Sequence, residues 1–367
     1  MTTIPASYES SRERFRVRLE TIRAHWSNAQ LTSLPLEDDL TMDWIHAEPL
    51  KTKEKIVVIS TAQHGIEGYV GSAMLELFIE EFIPRLDPLT TGVLLIHAIN
   101  PWGMKHRKRN NKNNVDLNRN FTDDDFTSLE NVNADYPSLN WFLNPPKAVT
   151  NLALDRINFA GQILRVLAGY GVKRIREASL MGQYRFPQGI YFGGTELQPE
   201  TKVLMNLYRA AYQDYRTIIH LDLHTGYGPR TQMTVVTSPQ EKMTADETSR
   251  KYYVPLVAAA NPDDFYTMHG DMIDWEYLLV GNKAHYFGAT CEFGTFGEGI
   301  LPGARSLQIT ILKNRTNQFG AIASAQSWID REYGELYLPS EPAWFEKAKA
   351  DVRATFNSIL GAERFLS

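Results

Sequence analysis

Short apolar, β-branched runs alternate with stretches of helical period along this chain. Residues 56–62 form the first run, bounded by polar residues, and read as a buried strand. Val70, Met74, Leu77, Phe78 and Phe82 then recur at 3.6-residue spacing, and Pro84 marks the end of that helix. A second apolar run at 92–99 completes a strand-helix-strand unit, which requires parallel strands joined by a right-handed crossover. Further strands are expected at 217–223, 233–237 and 288–293. Helices are expected at 8–26, 149–168 and 199–213, near 318–332, and at 340–360, the last striped by Trp344, Ala348, Val352 and Phe356. The polar, proline-containing stretch 33–50 reads as a connection, and 122–148 as a surface excursion. The expected organisation is one α/β domain over 1–367, with a helical lead-in to about residue 50 and an inserted region at about 122–215.

Composition narrows the class. A hydrophobic fraction of 43% and a charged fraction of 22% exclude a disordered or fibrous chain. A net charge of −5 gives no support for a nucleic-acid or membrane surface as partner, and is compatible with a homo-oligomer. No apolar run approaches a membrane span, and residues 1–30 are too polar for a signal peptide, so a soluble cytoplasmic protein is expected. The single cysteine, Cys291, excludes an intramolecular disulfide and sits in an apolar run that suits a buried thiol better than a nucleophile.

The chemistry starts at the carboxyl end of the first strand. His64 and Glu67 stand at i, i+3 spacing, which in a helical turn puts an imidazole and a carboxylate on one face. Alone, the pair is weak evidence, since a helix-capping acid beside a surface histidine is the commoner arrangement. The strand 217–224 alternates with period two, so His220, Asp222 and His224 share a face. They form either a buried hydrogen-bonded network or, through His224 at the strand end, the third donor of a His2Glu set. Such a set binds zinc and leaves a coordination position for water. Asp116 and Asp222 are candidates to orient the histidines through their second ring nitrogens. Glu292, near the end of a late strand, is either paired with an arginine or the base that a metal-activated water needs. The basic segment holding Lys105, Arg107, Lys108, Arg109, Lys112 and Arg119 lacks interleaved aromatics, which argues against nucleic acid and for an anionic substrate. Residues 191–194 either line a cleft or form a plain turn.

His64-x-x-Glu67, Arg109 seven residues before Asp116 in Val-Asp-Leu-Asn118-Arg119-Asn-Phe, His224 after one strand and Glu292 after another resemble the zinc carboxypeptidases of the carboxypeptidase A superfamily. The aspartoacylase and succinylglutamate desuccinylase group are cousins. The resemblance implies an α/β fold: a mixed, mostly parallel sheet of about eight strands with helices on both faces. It implies one zinc ion on His64, Glu67 and His224, with Glu292 as base and then acid. Arg109 would steady the oxyanion, Asn118 and Arg119 would hold a terminal carboxylate, and Asp116 would orient His64. The implied activity is cleavage of an amide beside a free carboxylate, on small peptides or, alternatively, on N-acyl amino acids. A non-catalytic carboxylate-binding module is a second alternative. The family's mobile tyrosine would be one of Tyr252, Tyr253, Tyr266, Tyr277 and Tyr286.

Overall fold

A computed structural model describes residues 2–259 and 268–366. The strands are β1 (Gln30–Glu37), β2 (Leu40–Ala47), β3 (Lys55–Thr61), β4 (Thr91–His97), β5 (Thr217–Thr225), β6 (Met233–Thr237), β7 (Val257–Ala259) and β8 (His285–Phe293). They form one eight-stranded sheet in the order β1-β2-β4-β3-β5-β8-β6-β7. The ladders β3·β4, β3·β5, β5·β8 and β6·β7 are parallel, while β1·β2, β2·β4 and β6·β8 are antiparallel. The sheet is therefore mixed and mostly parallel, as expected.

The helices are α1 (Tyr8–Arg23), α2 (Gly68–Glu81), α3 (Pro101–Lys105), α4 (Phe126–Leu129), α5 (Tyr136–Leu143) and α6 (Leu152–Leu180). They continue as α7 (Pro199–Ala211), α8 (Ala245–Tyr252), α9 (Met272–Val280), α10 (Ile300–Phe319), α11 (Ala323–Tyr337) and α12 (Pro342–Ala362). Alternation along the central strands sorts two cores. Val57, Ile59, Leu221, Leu223 and Cys291 face α1, α2 and α12, where Phe78, Phe82 and Phe356 make edge-on and stacked ring contacts. Ile56, Val58, Leu94 and Ile218 face α7 and α9, meeting Leu204, Tyr208 and Ile273. Cys291 is buried and free, in keeping with the reading of its apolar run.

Several sequence expectations need correction. The stretch 33–50 is largely a hairpin, β1 and β2, and β2 extends the sheet antiparallel to β4. Its edge strand is exposed and carries Pro35 and a register shift, so it lacks the apolar alternation of a buried strand. The helix placed near 318–332 spans a break instead: α10 ends at Phe319, Gly320 takes φ +83°, and α11 begins at Ala323. The helix expected at 149–168 runs on to Leu180, past a break at Gly171. The excursion 122–148 contains α4 and α5, and α5 buries Tyr136, Leu139 and Phe142. No helix among the described residues is long and apolar enough to cross a membrane.

Candidate metal centre

The chain reverses its sense of travel at β3. The link from β3 leads to β4 on one side, whereas β5 and β8 lie on the other, so the carboxyl ends of β3 and β5 flank a crevice. At the end of β3, Ala62 adopts φ +64°, an uncommon setting for a residue with a side chain. A single turn of 3-10 helix, Gly65–Glu67, then leads into α2. A Cβ on Gly65 would lie 2.1 Å from the main-chain carbon of Gly103, so this turn can sit against α3 only as glycine. The amides of Gly65 and Ile66 donate to the carbonyls of Arg109 and Lys108 at 3.1 and 2.9 Å.

That turn brings His64 Nδ1 to 3.0 Å from Glu67 Oε1. Across the ladder, β5 pairs with β8 in a register that sets His224 beside Glu292. Neighbouring residues of parallel strands point to the same face, so both side chains reach the crevice. His224 Nδ1 lies 3.1 Å from His64 Nδ1 and 3.0 Å from Glu67 Oε2. The donor atoms of His64, Glu67 and His224 all fall within 4.8 Å of one another, and all three residues are buried. The structure brings these residues together as a group that can hold a metal ion.

Each imidazole is fixed from behind. His64 Nε2 lies 3.0 Å from Asp116 Oδ1, and His224 Nε2 lies 2.5 Å from Asp222 Oδ2. Both Nδ1 atoms are thereby aimed at the shared centre, the arrangement that orients histidine donors. Ser60 Oγ donates to Asp222 at 2.5 Å and lies 2.7 Å from His220, whose other nitrogen meets Glu276 at 2.7 Å. The buried-network reading of the 217–224 strand describes His220 and Asp222, whose links through Ser60 and Glu276 lead to His224, a member of the group that can hold a metal ion.

The electrostatics fit a dication. Burial disfavours charge on Glu67, but His64 and His224 override it and hold its carboxyl well below the usual range. Burial likewise opposes ionisation of Asp116, and Arg109 and His64 outweigh it. His224 is driven the other way: Asp222 and Glu67 overcome desolvation and keep its imidazole charged. These charges compensate one another at a place where unpaired carboxylates are costly. Glu292 stands apart. Burial pushes its carboxyl up to about 7, and its buried Oε2 has no hydrogen-bond partner. Among the described residues no arginine forms an ion pair with it, although the Arg109 charge acts on it from a distance. A carboxyl poised near neutrality beside a metal-competent cluster is a candidate base.

Arg109 donates from Nε to Asp116 Oδ2 at 3.0 Å, and its NH1 group lies 3.4 Å from Glu67 Oε1. Its guanidinium covers the Tyr191 ring at 5.1 Å, whereas the next residue of that turn, Phe192, packs in the core. Asn118 and Arg119 lie on the next turn of chain, which Asp116 caps through the Asn118 amide at 3.1 Å. The Asn118 side chain donates to Asp271 at 2.8 Å and accepts from the Met272 amide at 3.0 Å. Arg119 is buried and donates to the carbonyls of Asn118 and Leu180 at 2.8 and 2.7 Å. Elsewhere in the basic segment, Lys105 pairs with Glu9 and Asp39, and Lys112 with Glu37.

Four of the five candidate tyrosines fall within the described residues. Tyr252, Tyr277 and Tyr286 give their hydroxyls to Glu363, Glu241 and Glu276, Tyr253 is exposed, and Tyr266 lies outside the described residues. The aromatic groups near Arg109 are instead Tyr191 and, from α11, Tyr333 and Tyr337. The last two stand at i, i+4 spacing, a visible signal lost because the expected helix stopped at 332.

The fold is similar to that of bovine thrombin-activatable fibrinolysis inhibitor in complex with tick carboxypeptidase inhibitor. That match has 12% identity and a TM-score of 0.46, covering 86% of this chain and 97% of the other. Carboxypeptidase A from Helicoverpa armigera matches at 11% identity and a TM-score of 0.48, covering 92% and 75%. An aspartoacylase family protein from Mesorhizobium loti matches at 12% identity and a TM-score of 0.36, covering 80% and 67%. No curated protein matches the sequence. The family model described as "Protein of unknown function (DUF2817)" matches residues 5–351, and the chain belongs to that family.

Proposed function

We propose that this chain is a zinc-dependent hydrolase that cleaves an amide bond beside a free carboxylate, acting as a carboxypeptidase on small peptides. The observation that carries the reading is the convergence of His64, Glu67 and His224 within 4.8 Å, with Glu292 in register beside His224. Two imidazoles and a carboxylate form a donor set typical of catalytic zinc, which keeps an open position. His64, Glu67 and His224 would hold the ion; when bound, it supplies Lewis acidity that lowers the pKa of water and polarises a carbonyl.

The remaining steps belong to the chain's own side chains. Glu292 accepts a proton from the attacking water and returns it to the leaving amine, a role suited to a carboxyl near 7. Arg109, held by Asp116, presents its positive charge where the oxyanion develops. Asn118, oriented by Asp271 and Met272, would receive the terminal carboxylate, with Arg119, buried behind it and bonded to the Asn118 carbonyl, supplying positive charge. Asp116 and Asp222 keep the imidazole donors aimed.

The test is a panel of peptides with free C-termini, the same peptides as C-terminal amides, and a set of N-acyl amino acids, each incubated with zinc-loaded protein. Release of the C-terminal residue from free peptides and not from amides is expected. Turnover confined to N-acyl amino acids would replace the peptidase reading with a deacylase one. Binding of the members with a free carboxylate and not of the amides, with turnover of none, would leave a carboxylate-binding module.

A further inference from the structure

A second concavity adjoins the candidate metal centre on the far side of Arg109. Its volume is about 190 Å³, and its lining includes Lys108, Arg109, Lys112 and Lys313 but no aspartate or glutamate. Four cations around one cavity without a lining carboxylate is an unbalanced wall in a protein of net charge −5. Three of the four have partners set back from the cavity: Arg109 contacts Asp116 and Glu67, Lys112 contacts Glu37, and Lys313 contacts Asp330. Lys108 has no carboxylate partner among the described residues. Its ammonium lies over the Trp102 ring at 4.8 Å, which fixes its direction without neutralising it. Burial first, and Lys313 second, disfavour its charge and draw its pKa down, the condition under which an arriving anion gains most.

The rest of the lining combines Trp102, Ile190, Tyr191 and Tyr333 with a run of amide side chains. Asn314 is tied to the Gln188 carbonyl and Asn114 to the carbonyls of Pro187 and Gly189, so these amides build a rigid wall. The Asn317 and Gln318 side chains make no hydrogen bond to the described residues and remain as donors and acceptors for a ligand.

We propose that this cavity is a subsite for an anionic group on the non-leaving portion of the substrate, so that the chain prefers peptides with an acidic residue near the scissile bond. The inference rests on the function proposed above. There the leaving group is a single residue whose carboxylate meets Asn118, with Arg119 behind it, and neither of these lines the cavity. A substrate that reaches the cavity past Arg109 therefore does so with its acyl side. The ligand chemistry is a carboxylate: it would meet Lys108 and the amide-rich wall through charge-assisted hydrogen bonds.

The experiment uses full-length Glu292→Gln protein, zinc-loaded, and acetylated tripeptides with free C-termini carrying Glu, Gln or Lys at the first or second position. Calorimetry should show the better Glu peptide binding about tenfold or more tightly than its Gln counterpart, with the Lys peptide weakest. Raising the salt from 0.05 to 0.5 M should shrink the Glu to Gln ratio. Lys108→Met should bring the ratio near one and Lys108→Arg should keep it, with thermal unfolding checking that both variants fold. A ratio near one at both positions in the parent protein overturns the inference, as does a ratio that Lys108→Met leaves unchanged. Wild-type protein that binds with this preference and hydrolyses no peptide would overturn the proposed peptidase reading and leave the subsite standing.

Discussion

Arg109 and His64 share the carboxylate of Asp116: Arg109 Nε donates to Asp116 Oδ2 at 3.0 Å, while Asp116 Oδ1 lies 3.0 Å from His64 Nε2. One buried acid thus orients both an imidazole of the group that can hold a metal ion and the guanidinium beside it. Replacing Asp116 by Asn keeps the shape and removes the charge. Zinc affinity, measured by competition with a chromophoric chelator, should fall about 10- to 100-fold. An unchanged affinity would remove Asp116 from the orienting role.

Glu292→Gln separates chemistry from metal binding. Turnover should drop by roughly 10²- to 10⁴-fold with one zinc per chain retained. A base must be deprotonated to work, so activity should rise with pH along an acid limb. With the carboxyl near 7 before a cation arrives, and a cation favouring the carboxylate, that limb should lie at or below about pH 7. The residual activity of Glu292→Gln should lack it. A variant that keeps the wild-type limb would show that another group titrates.

Metal binding should appear as stability. At a free zinc concentration about 100 times the dissociation constant, the native state gains about 2.7 kcal/mol, so chelation should lower Tm by several degrees. His224 must shed the proton that Asp222 and Glu67 favour before it can bind, so the zinc-dependent rise in Tm should shrink as pH falls. His224→Ala should abolish the rise. A zinc effect of wild-type size in that variant would place the ion elsewhere.

His97 makes a second, independent pH prediction. It ends β4, stacks on Phe15 at 5.2 Å, meets Ser11 through Nε2 at 2.7 Å, and leaves Nδ1 buried without a partner. Burial pushes its pKa down to about 4. The unfolded chain therefore takes up a proton below about pH 6.5 that the folded chain refuses until pH 4. Stability should fall across that window by up to about 3 kcal/mol and change little from this residue above it. Denaturant unfolding of His97→Asn should show a flatter pH dependence between 6.5 and 4. An identical slope in the two proteins would refute the assignment.

The sequence made the central parallel strands legible because their apolar runs are buried on both faces, and the amphipathic helix through Trp344 and Phe356 legible because its stripe meets one core. The hairpin β1–β2 was hidden: an exposed edge strand has no hydrophobic period to read. The convergence of His64, Glu67 and His224 was legible because His64 and Glu67 are neighbours in sequence and His224 ends an alternating strand. The network through Ser60 and Glu276 was not, since its links join residues far apart in the chain and depend on register alone. The asparagines of the 110–120 segment read as a polar loop, yet Asn111, Asn114 and Asn120 tie it to residues near 187–200.

The turn that carries His64 is held by main-chain carbonyls of Lys108 and Arg109, and main-chain bonds are indifferent to the side chains attached to them. Residue 108 can therefore change in charge or size while the amides of Gly65 and Ile66 keep their anchors. On the proposed function, ligand recognition and metal placement would be able to drift independently at a single segment of chain. Relatives that share the metal donors would then differ in substrate by exchanging one or two side chains, with no rebuilding of the centre.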